Sequence, residues 1–158
     1  MSAADPLLHL LERLDQEGVE YVLIGGQAVR LNGFVRATED IDLLVEASAT
    51  NGARIKRALD FLPAAAELDP DWFTPDGKGR TENIRVADTL LVDLVFEANG
   101  ETCKSLAPYV HELVIDGVKL RVPDIDGLLK TKSRYRAKDQ LDRRVLLRIK
   151  RGLDAPAS

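Results

Sequence analysis

Residues 21–46, with the sequence YVLIGGQAVRLNGFVRATEDIDLLVE, decide the fold. Val19 to Ile24, apolar except for Glu20, predicts a buried strand, and the glycine pair at 25 and 26 ends it. Gln27 to Leu31 is long enough for one or two helical turns. Ile41 to Val45 then predicts a second buried strand. The order strand, glycine pair, short helix and strand indicates a mixed α/β domain.

Two acidic residues stand at the start of the second predicted strand. Asp40 and Asp42 are two residues apart, so in a strand both carboxylates project to the same face, with Ile41 and Val45 on the other. Like charges so close repel unless a cation lies between them, and a divalent metal with oxygen ligands is the simplest such cation. The alternative is a pair of solvated acids, and a lone Asp-x-Asp pattern favours that alternative.

A third acidic residue changes this balance. Asp93 lies within LLVDLVF (90–96), an otherwise apolar strand pattern, where a charge is costly unless it is paired or bound to metal. If this strand lies beside the first Asp-x-Asp strand, Asp40, Asp42 and Asp93 form a candidate catalytic site for two Mg²⁺ ions. The alternative is a salt bridge from Asp93 to Arg85 across a neighbouring strand.

Gly25 and Gly26 are candidate phosphate contacts. They close a buried strand just before a helix, where missing side chains let a phosphate approach backbone N–H donors. A glycine pair alone is weak support for a phosphate site, because glycines at such turns are often required only by close packing.

The rest of the chain predicts an α+β fold with a single mixed β-sheet and flanking helices. Asp5-Pro6 predicts one helix start, and Ser48 or Thr50 predicts another, for a helix that runs to Phe61. Asp116-Gly117 predicts the turn of a hairpin. Residues 63–82 are expected to form a long polar loop. Residues 1–152 are expected to form one domain, followed by a disordered tail at 153–158.

Composition and charge limit the function classes. The 158 residues are 45% hydrophobic and 30% charged, which is typical of a soluble globular protein, and no apolar run is long enough to cross a membrane. An acidic N-terminus and the single Cys103 favour the cytoplasm. The net charge is −4, yet residues 130–151 hold ten basic and two acidic residues. This uneven charge indicates an anionic partner for the basic segment, and the alternatives are a solvated helix face or a tail that docks on the acidic body.

The order of these motifs resembles the DNA polymerase β-like nucleotidyltransferase superfamily. Within it, LIGGQAVRLNGFVRATEDIDLLV (23–45) and LLKTKSRYRAKDQLD (128–142) are most similar to the AbiEii/MNT-type minimal nucleotidyltransferases, which occur in bacterial toxin–antitoxin and phage-defence modules. The resemblance implies catalytic roles for the three aspartates: Asp40 and Asp42 as metal ligands, and Asp93 as the third ligand or the general base. It also implies a set of nucleotide contacts: Gly25, Gly26, Thr38, Lys132, Lys138 and Asp139. Lys130 is the alternative to Lys132.

The resemblance implies a Mg²⁺-dependent transferase. Such an enzyme moves a nucleoside monophosphate from a triphosphate to a hydroxyl and releases pyrophosphate. An RNA acceptor such as a tRNA end suits the basic segment 130–151. Transfer to a protein side chain or to a small molecule such as an antibiotic is the alternative within enzymes. A non-catalytic partner or antitoxin protein with this fold is the alternative outside them, and a cognate partner chain is plausible in either case.

Overall fold

The computed structural model describes residues 6–25, 27–28, 40–74, 83–132, 144, 146–147 and 150. Within them the helices are α1 (Pro6–Gln16), α2 (Ala49–Ala58), α3 (Cys103–Leu106) and α4 (Ile125–Lys130). The strands are β1 (Tyr21–Ile24), β2 (Asp40–Val45), β3 (Ile84–Ala87), β4 (Leu91–Val95), β5 (Val110–Ile115) and β6 (Val118–Pro123). The expected α+β class is confirmed.

The main sheet is mixed and has the strand order β1-β2-β4-β3. β2 and β4 run parallel, whereas the β1–β2 and β3–β4 pairs are antiparallel. The β5–β6 hairpin forms a separate two-stranded sheet, so the expectation of a single sheet is wrong in this detail. The hairpin is joined to the main sheet by side chains: the backbone N–H of Arg121 donates to the Tyr21 hydroxyl, and its Nε donates to the Tyr21 carbonyl.

The two faces of the main sheet differ. On one face Ile41, Leu43 and Val45 join the large core with leucines of α1 and residues of α2, as their alternation predicts. The opposite face carries a small apolar cluster at one end, in which Leu44 and Val95 pack near Leu106. The predicted carboxylates share this second face with the small cluster. The sheet therefore separates a deep core from a partly polar surface.

Local signals fix the start of α2. The Ser48 side chain accepts a hydrogen bond from the Asn51 N–H, so Ser48 and not Thr50 is the N-cap, and the helix ends at Ala58 instead of Phe61. The Asn51 side chain accepts from the Glu20 N–H and donates to the Glu20 and Glu46 carbonyls. This buried amide ties the start of β1 and the end of β2 to α2.

The segment after α2 is more ordered than the expected polar loop. Short 3₁₀ helices occupy Pro63–Glu67 and Pro70–Phe73, because each proline fixes a first-turn φ. The Phe73 side chain is fully buried, packs edge-on against Phe96, and contacts the helix at Gly52. Residues 75–82 lie outside the described part. The prediction of an irregular loop is therefore wrong for 63–74.

The predicted hairpin turn is confirmed at Asp116 and Gly117, which have φ values of 51° and 79°. Gln27 and Ala28 are helical, as expected after the glycine pair. In the last stretch, Arg144, Leu146, Leu147 and Lys150 are helical, and Leu146 is fully buried. Asp5 and the tail at 153–158 lie outside the described residues. In the described part of the chain, every helix is too short or too polar to cross a membrane.

Candidate active site

A cleft of about 490 Å³ lies along the second face of the main sheet, where residues of the four strands and of the turn after β4 line it together with the segment after α4. Its lining is dominated by charged groups. These are the three predicted aspartates together with Arg85, Glu97 and Lys132. The cleft thus brings together most of the described residues that the sequence marks as candidates.

The strand pairing determines how the aspartates meet. Asp42 lies directly opposite Asp93 across the parallel β2–β4 pair, and Asp40 lies two residues before Asp42 on the same face. Residues in register on adjacent strands project to the same side of a sheet. Asp93 is buried, with 9% of its surface exposed, whereas Asp40 and Asp42 are partly exposed. The three carboxylates therefore line one wall of the cleft.

Arg85 lies between two of these carboxylates. It is opposite Asp93 across β3–β4, and its Nε and Nη2 donate to the two Asp93 oxygens at 2.8 and 3.0 Å. The same Nη2 donates to Asp40 Oδ2 at 3.2 Å. Hydrogen bonding to Asp93, and secondarily the charges of Asp93 and Asp40, hold the pKa of the Arg85 guanidinium well above its ordinary value. The salt bridge that the sequence left as an alternative for Asp93 is therefore present.

Gly25 forms the floor of the cleft beside Asp42. Its φ is +73°, and a Cβ built at this position would lie 3.0 Å from Asp42 Cγ and overlap the carboxylate oxygen. Ile24 pairs with Asp42 across β1–β2, which is why the strand end reaches this carboxylate. A glycine is therefore required here both by the backbone conformation and by the neighbouring acid.

Lys132 also lines the cleft and is only 5% exposed. Asn99, at a turn with φ 51°, donates from Nδ2 to the carbonyls of Lys130 and Lys132 at 3.0 and 3.4 Å. These bonds fasten the chain after α4 to the turn after β4. Lys130 instead places its Nζ 5.1 Å from the centre of the Tyr109 ring. Of the two lysines that the sequence left open, Lys132 is the one that lines the cleft.

Four predicted nucleotide contacts lie outside the described residues: Gly26, Thr38, Lys138 and Asp139. Most of the basic segment 130–151 lies outside them too. Within its described part, Lys150 pairs with Asp126 in α4. That contact is of the kind expected from a segment that docks on the acidic body.

Several polar residues of the cleft carry no signal that the sequence analysis used, among them Asn83, Glu97, Asn99 and Thr131. Glu97 lies just beyond β4 but continues the spacing of two from Asp93 and Val95, and that periodicity could have identified it. Nothing in the sequence indicates that Asn99 reaches the Lys132 segment.

The donor types of the cleft fit a hard divalent cation, since carboxylate oxygens are the ligands that Mg²⁺ prefers. Because Gly25 has no side chain, the Asp42 carboxylate occupies the position that a Cβ at residue 25 would take. In the arrangement described, however, Arg85 occupies oxygens of both Asp93 and Asp40. Across the described ranges, no group of three or more His, Cys, Asp or Glu side chains stands ready to hold a metal ion as placed. The residue types fit the cation, while Arg85 is hydrogen-bonded to two of the three carboxylates.

Comparison with known proteins adds no assignment. No protein-family model matches the chain, and no curated protein matches its sequence.

Proposed function

We propose that the chain is a Mg²⁺-dependent nucleotidyltransferase of the DNA polymerase β-like type, similar to the AbiEii/MNT minimal enzymes. The observation that carries the proposal is the convergence of Asp40, Asp42 and Asp93, from two parallel strands, on a cleft that Gly25 and Lys132 also line. A carboxylate buried beside other carboxylates raises the electrostatic free energy of the fold unless cations compensate it. Binding of a metal–triphosphate complex is a function that would explain why the protein has such a cluster in spite of its unfavourable electrostatic free energy.

Each group has a role in this proposal. Asp40, Asp42 and Asp93 would hold one or two Mg²⁺ ions. Bound Mg²⁺ lowers the pKa of an acceptor hydroxyl and offsets charge on the leaving pyrophosphate. Gly25 would contact a phosphate through its backbone at the lining of the cleft, and Lys132 would offer a positive charge to the triphosphate. Gly26, Thr38, Lys138 and Asp139 stay predictions as further nucleotide contacts.

For the acceptor we propose an RNA hydroxyl. The support is the ten basic residues of 130–151, a segment that begins beside the cleft, where Thr131 and Lys132 are part of the lining. Phosphate groups attract such a segment without regard to sequence. In this proposal the protein acts in the cytoplasm, as part of a bacterial toxin–antitoxin or defence module, with a cognate partner chain.

Label transfer tests the proposal directly. The full chain is incubated with Mg²⁺, each nucleoside triphosphate labelled on the α-phosphate, and total RNA. Label is expected in RNA, and it should be lost with Asp42→Asn. Asp116→Asn is the matched control, because it makes the same change at a hairpin turn where asparagine tolerates φ 51°. Label in protein or in a small molecule would support the proposed transferase activity but would exclude RNA as the acceptor. No transfer to any acceptor would contradict the proposal.

One observation favours a second candidate, a non-catalytic partner protein with this fold. Arg85 already neutralises part of the carboxylate cluster through Asp93 and Asp40, as a purely structural ion-pair network would. A non-catalytic protein would show neither label transfer nor metal-dependent binding of a triphosphate. Thermal unfolding with triphosphate separates the two: the transferase requires a rise in melting temperature in Mg²⁺ that EDTA abolishes.

A further inference from the structure

Arg85 makes three charge-assisted hydrogen bonds inside the candidate metal site. Two go to the oxygens of Asp93 and one goes to Asp40. Because one Asp40 oxygen and one Asp93 oxygen both lie within 3.2 Å of Nη2, those oxygens cannot be more than twice that distance apart. A planar guanidinium with fixed donors suits this bridge, whereas an ammonium group could not reproduce its geometry.

The bridging oxygens are atoms that a divalent cation would need. A carboxylate oxygen whose lone pairs accept from a guanidinium offers less to a cation, and the positive charge of Arg85 repels that cation as well. Arg85 and a divalent cation therefore cannot both interact fully with Asp40 and Asp93 at the same time.

The position of Arg85 allows it to leave. Its side chain is 52% exposed, whereas that of Asp93 is 12% exposed, so the mobile member of the pair is the arginine. Arg85 lies on β3, the edge strand of the main sheet, and its side chain lines the open cleft. Movement of this side chain requires no displacement of the core.

We propose that Arg85 is a resident competitor of the divalent cation: it bridges Asp40 and Asp93 while the metal is absent and releases at least one of them when the metal binds. The inference rests on the metal site of the proposed function. It adds a residue that sets how tightly the site takes its cation. It also explains how three clustered carboxylates remain stable before the metal arrives, because Arg85 supplies part of the compensating charge.

Manganese binding to the full chain tests the competition. Free Mn²⁺ is measured by electron paramagnetic resonance during titration of wild type, Arg85→Gln and Arg85→Lys. Arg85→Gln removes both charge and bridge, so Mn²⁺ should bind roughly tenfold more tightly. Arg85→Lys keeps the charge and loses the two-carboxylate bridge, so it should also bind more tightly than wild type. Arg54→Gln, which removes a positive charge from a residue that does not line the cleft, should leave the affinity unchanged.

Thermal unfolding supplies a second readout. In EDTA both Arg85 variants should melt below wild type, because the carboxylates have lost their bridge. Saturating Mn²⁺ should reduce or reverse this difference, since the cation replaces the arginine. Wild-type affinity in Arg85→Lys, or equal or weaker binding in Arg85→Gln, would overturn the competition while leaving the metal site intact. The same titrations are repeated with Asp42→Asn added to wild type and to both Arg85 variants. If Asp42→Asn changes Mn²⁺ binding in none of them, the competition and the proposed function are overturned together.

Discussion

Gly25 and Asp42 are close neighbours in the lining of the cleft: Gly25 directly follows β1, whose last residue, Ile24, pairs with Asp42 in β2. The backbone of Gly25 has φ +73°, and the carboxylate of Asp42 fills the space that a side chain at residue 25 would occupy. The contact connects the glycine pair and the Asp-x-Asp motif, which are well separated in sequence. It gives Gly25 a physical requirement that Gly18 lacks, although Gly18 has nearly the same conformation, with φ +68°.

Gly25→Ala should therefore destabilise the protein more than Gly18→Ala does. Both substitutions force alanine into the left-handed region, at a cost of about 1–2 kcal/mol in the free energy of unfolding. Nothing lies within 4 Å of a Cβ at residue 18, whereas a Cβ at residue 25 must displace the Asp42 carboxylate. Urea unfolding measures the difference, and Mn²⁺ titration should show weaker binding only for Gly25→Ala. Equal losses of stability at the two glycines would show that the Asp42 contact has no energetic effect.

Asp93→Asn and Asp42→Asn should have different effects on the stability of the protein but similar effects on its transfer activity. Asp93→Asn removes the charge that Arg85 bonds at 2.8 and 3.0 Å, so the melting temperature in EDTA should fall. Asp42→Asn removes one of several like charges, so the melting temperature should stay the same or rise. Label transfer should fall on the order of a hundredfold or more in both. Melting curves and transfer assays on the two purified variants check this, and a fall in the melting temperature of Asp42→Asn would contradict the repulsion argument.

Asn51→Ala should destabilise the protein strongly without any effect specific to the cleft. The buried amide of Asn51 bonds the Glu20 N–H at 2.8 Å and the Glu46 carbonyl at 2.9 Å, and truncation leaves both groups without this partner. The expected loss is about 2–4 kcal/mol in the free energy of unfolding. Ser48→Ala, which removes only the N-cap of the same helix, should cost about 1 kcal/mol. Chemical denaturation of the two variants provides the comparison, and a smaller loss for Asn51→Ala would be inconsistent with its bridging role.

Stability should decline in alkali from about pH 9 upward. Burial, and then the charge of Glu46, raise the pKa of the Cys103 thiol from 9.0 to about 11. Burial likewise raises the pKa of Tyr21 from 10.0 to about 12, although the hydrogen bond with the Arg121 backbone opposes this shift. Between the unfolded and folded values the native state holds more protons than the unfolded state, so the free energy of unfolding falls as pH rises.

The window of this decline runs from pH 9 to pH 12, and Tyr21 contributes at most about 1.4 kcal/mol per pH unit in the upper part. Denaturant unfolding at stepped pH values measures the slope. Cys103→Ala should flatten the part between pH 9 and 11, and Tyr21→Phe should flatten the part above pH 10. Slopes unchanged by both substitutions would assign the alkaline transition to other groups.

Local parts of the fold were predictable because they depend on short-range signals. Alternation places Ile41 and Leu43 in the core, the serine cap begins α2, and Asp116-Gly117 turns the hairpin. The number of strands in the main sheet was not predictable. No local pattern shows that the β5–β6 hairpin contacts β1 through the Tyr21 side chain instead of forming backbone pairs with β1. The order within 63–74 was missed because prolines indicate both loops and 3₁₀ turns.

The candidate site was predictable in part. The spacing of Asp40 and Asp42 indicated a common face, whereas the meeting with Asp93 depended on the pairing of the two strands, and the register places Asp42 opposite Asp93. Gly25 and Lys132, which the sequence also marked, line the same cleft. That Arg85 reaches Asp40 as well as Asp93 depends on the order β2-β4-β3, which no short-range pattern encodes. Asn99 was missed for the same reason, since its partners at Lys130 and Lys132 are remote in sequence.

The sheet topology also has a consequence for the order of assembly during folding. β3 and β4 are joined by a short connection at 88–90, so their antiparallel pair closes at little entropic cost and brings Arg85 to Asp93 early. The parallel β2–β4 pair spans a much longer stretch of chain, and it must bring Asp42 against Asp93. We therefore expect Arg85 to neutralise Asp93 before β2 arrives, so that the arginine lowers the kinetic barrier to docking the acidic strand.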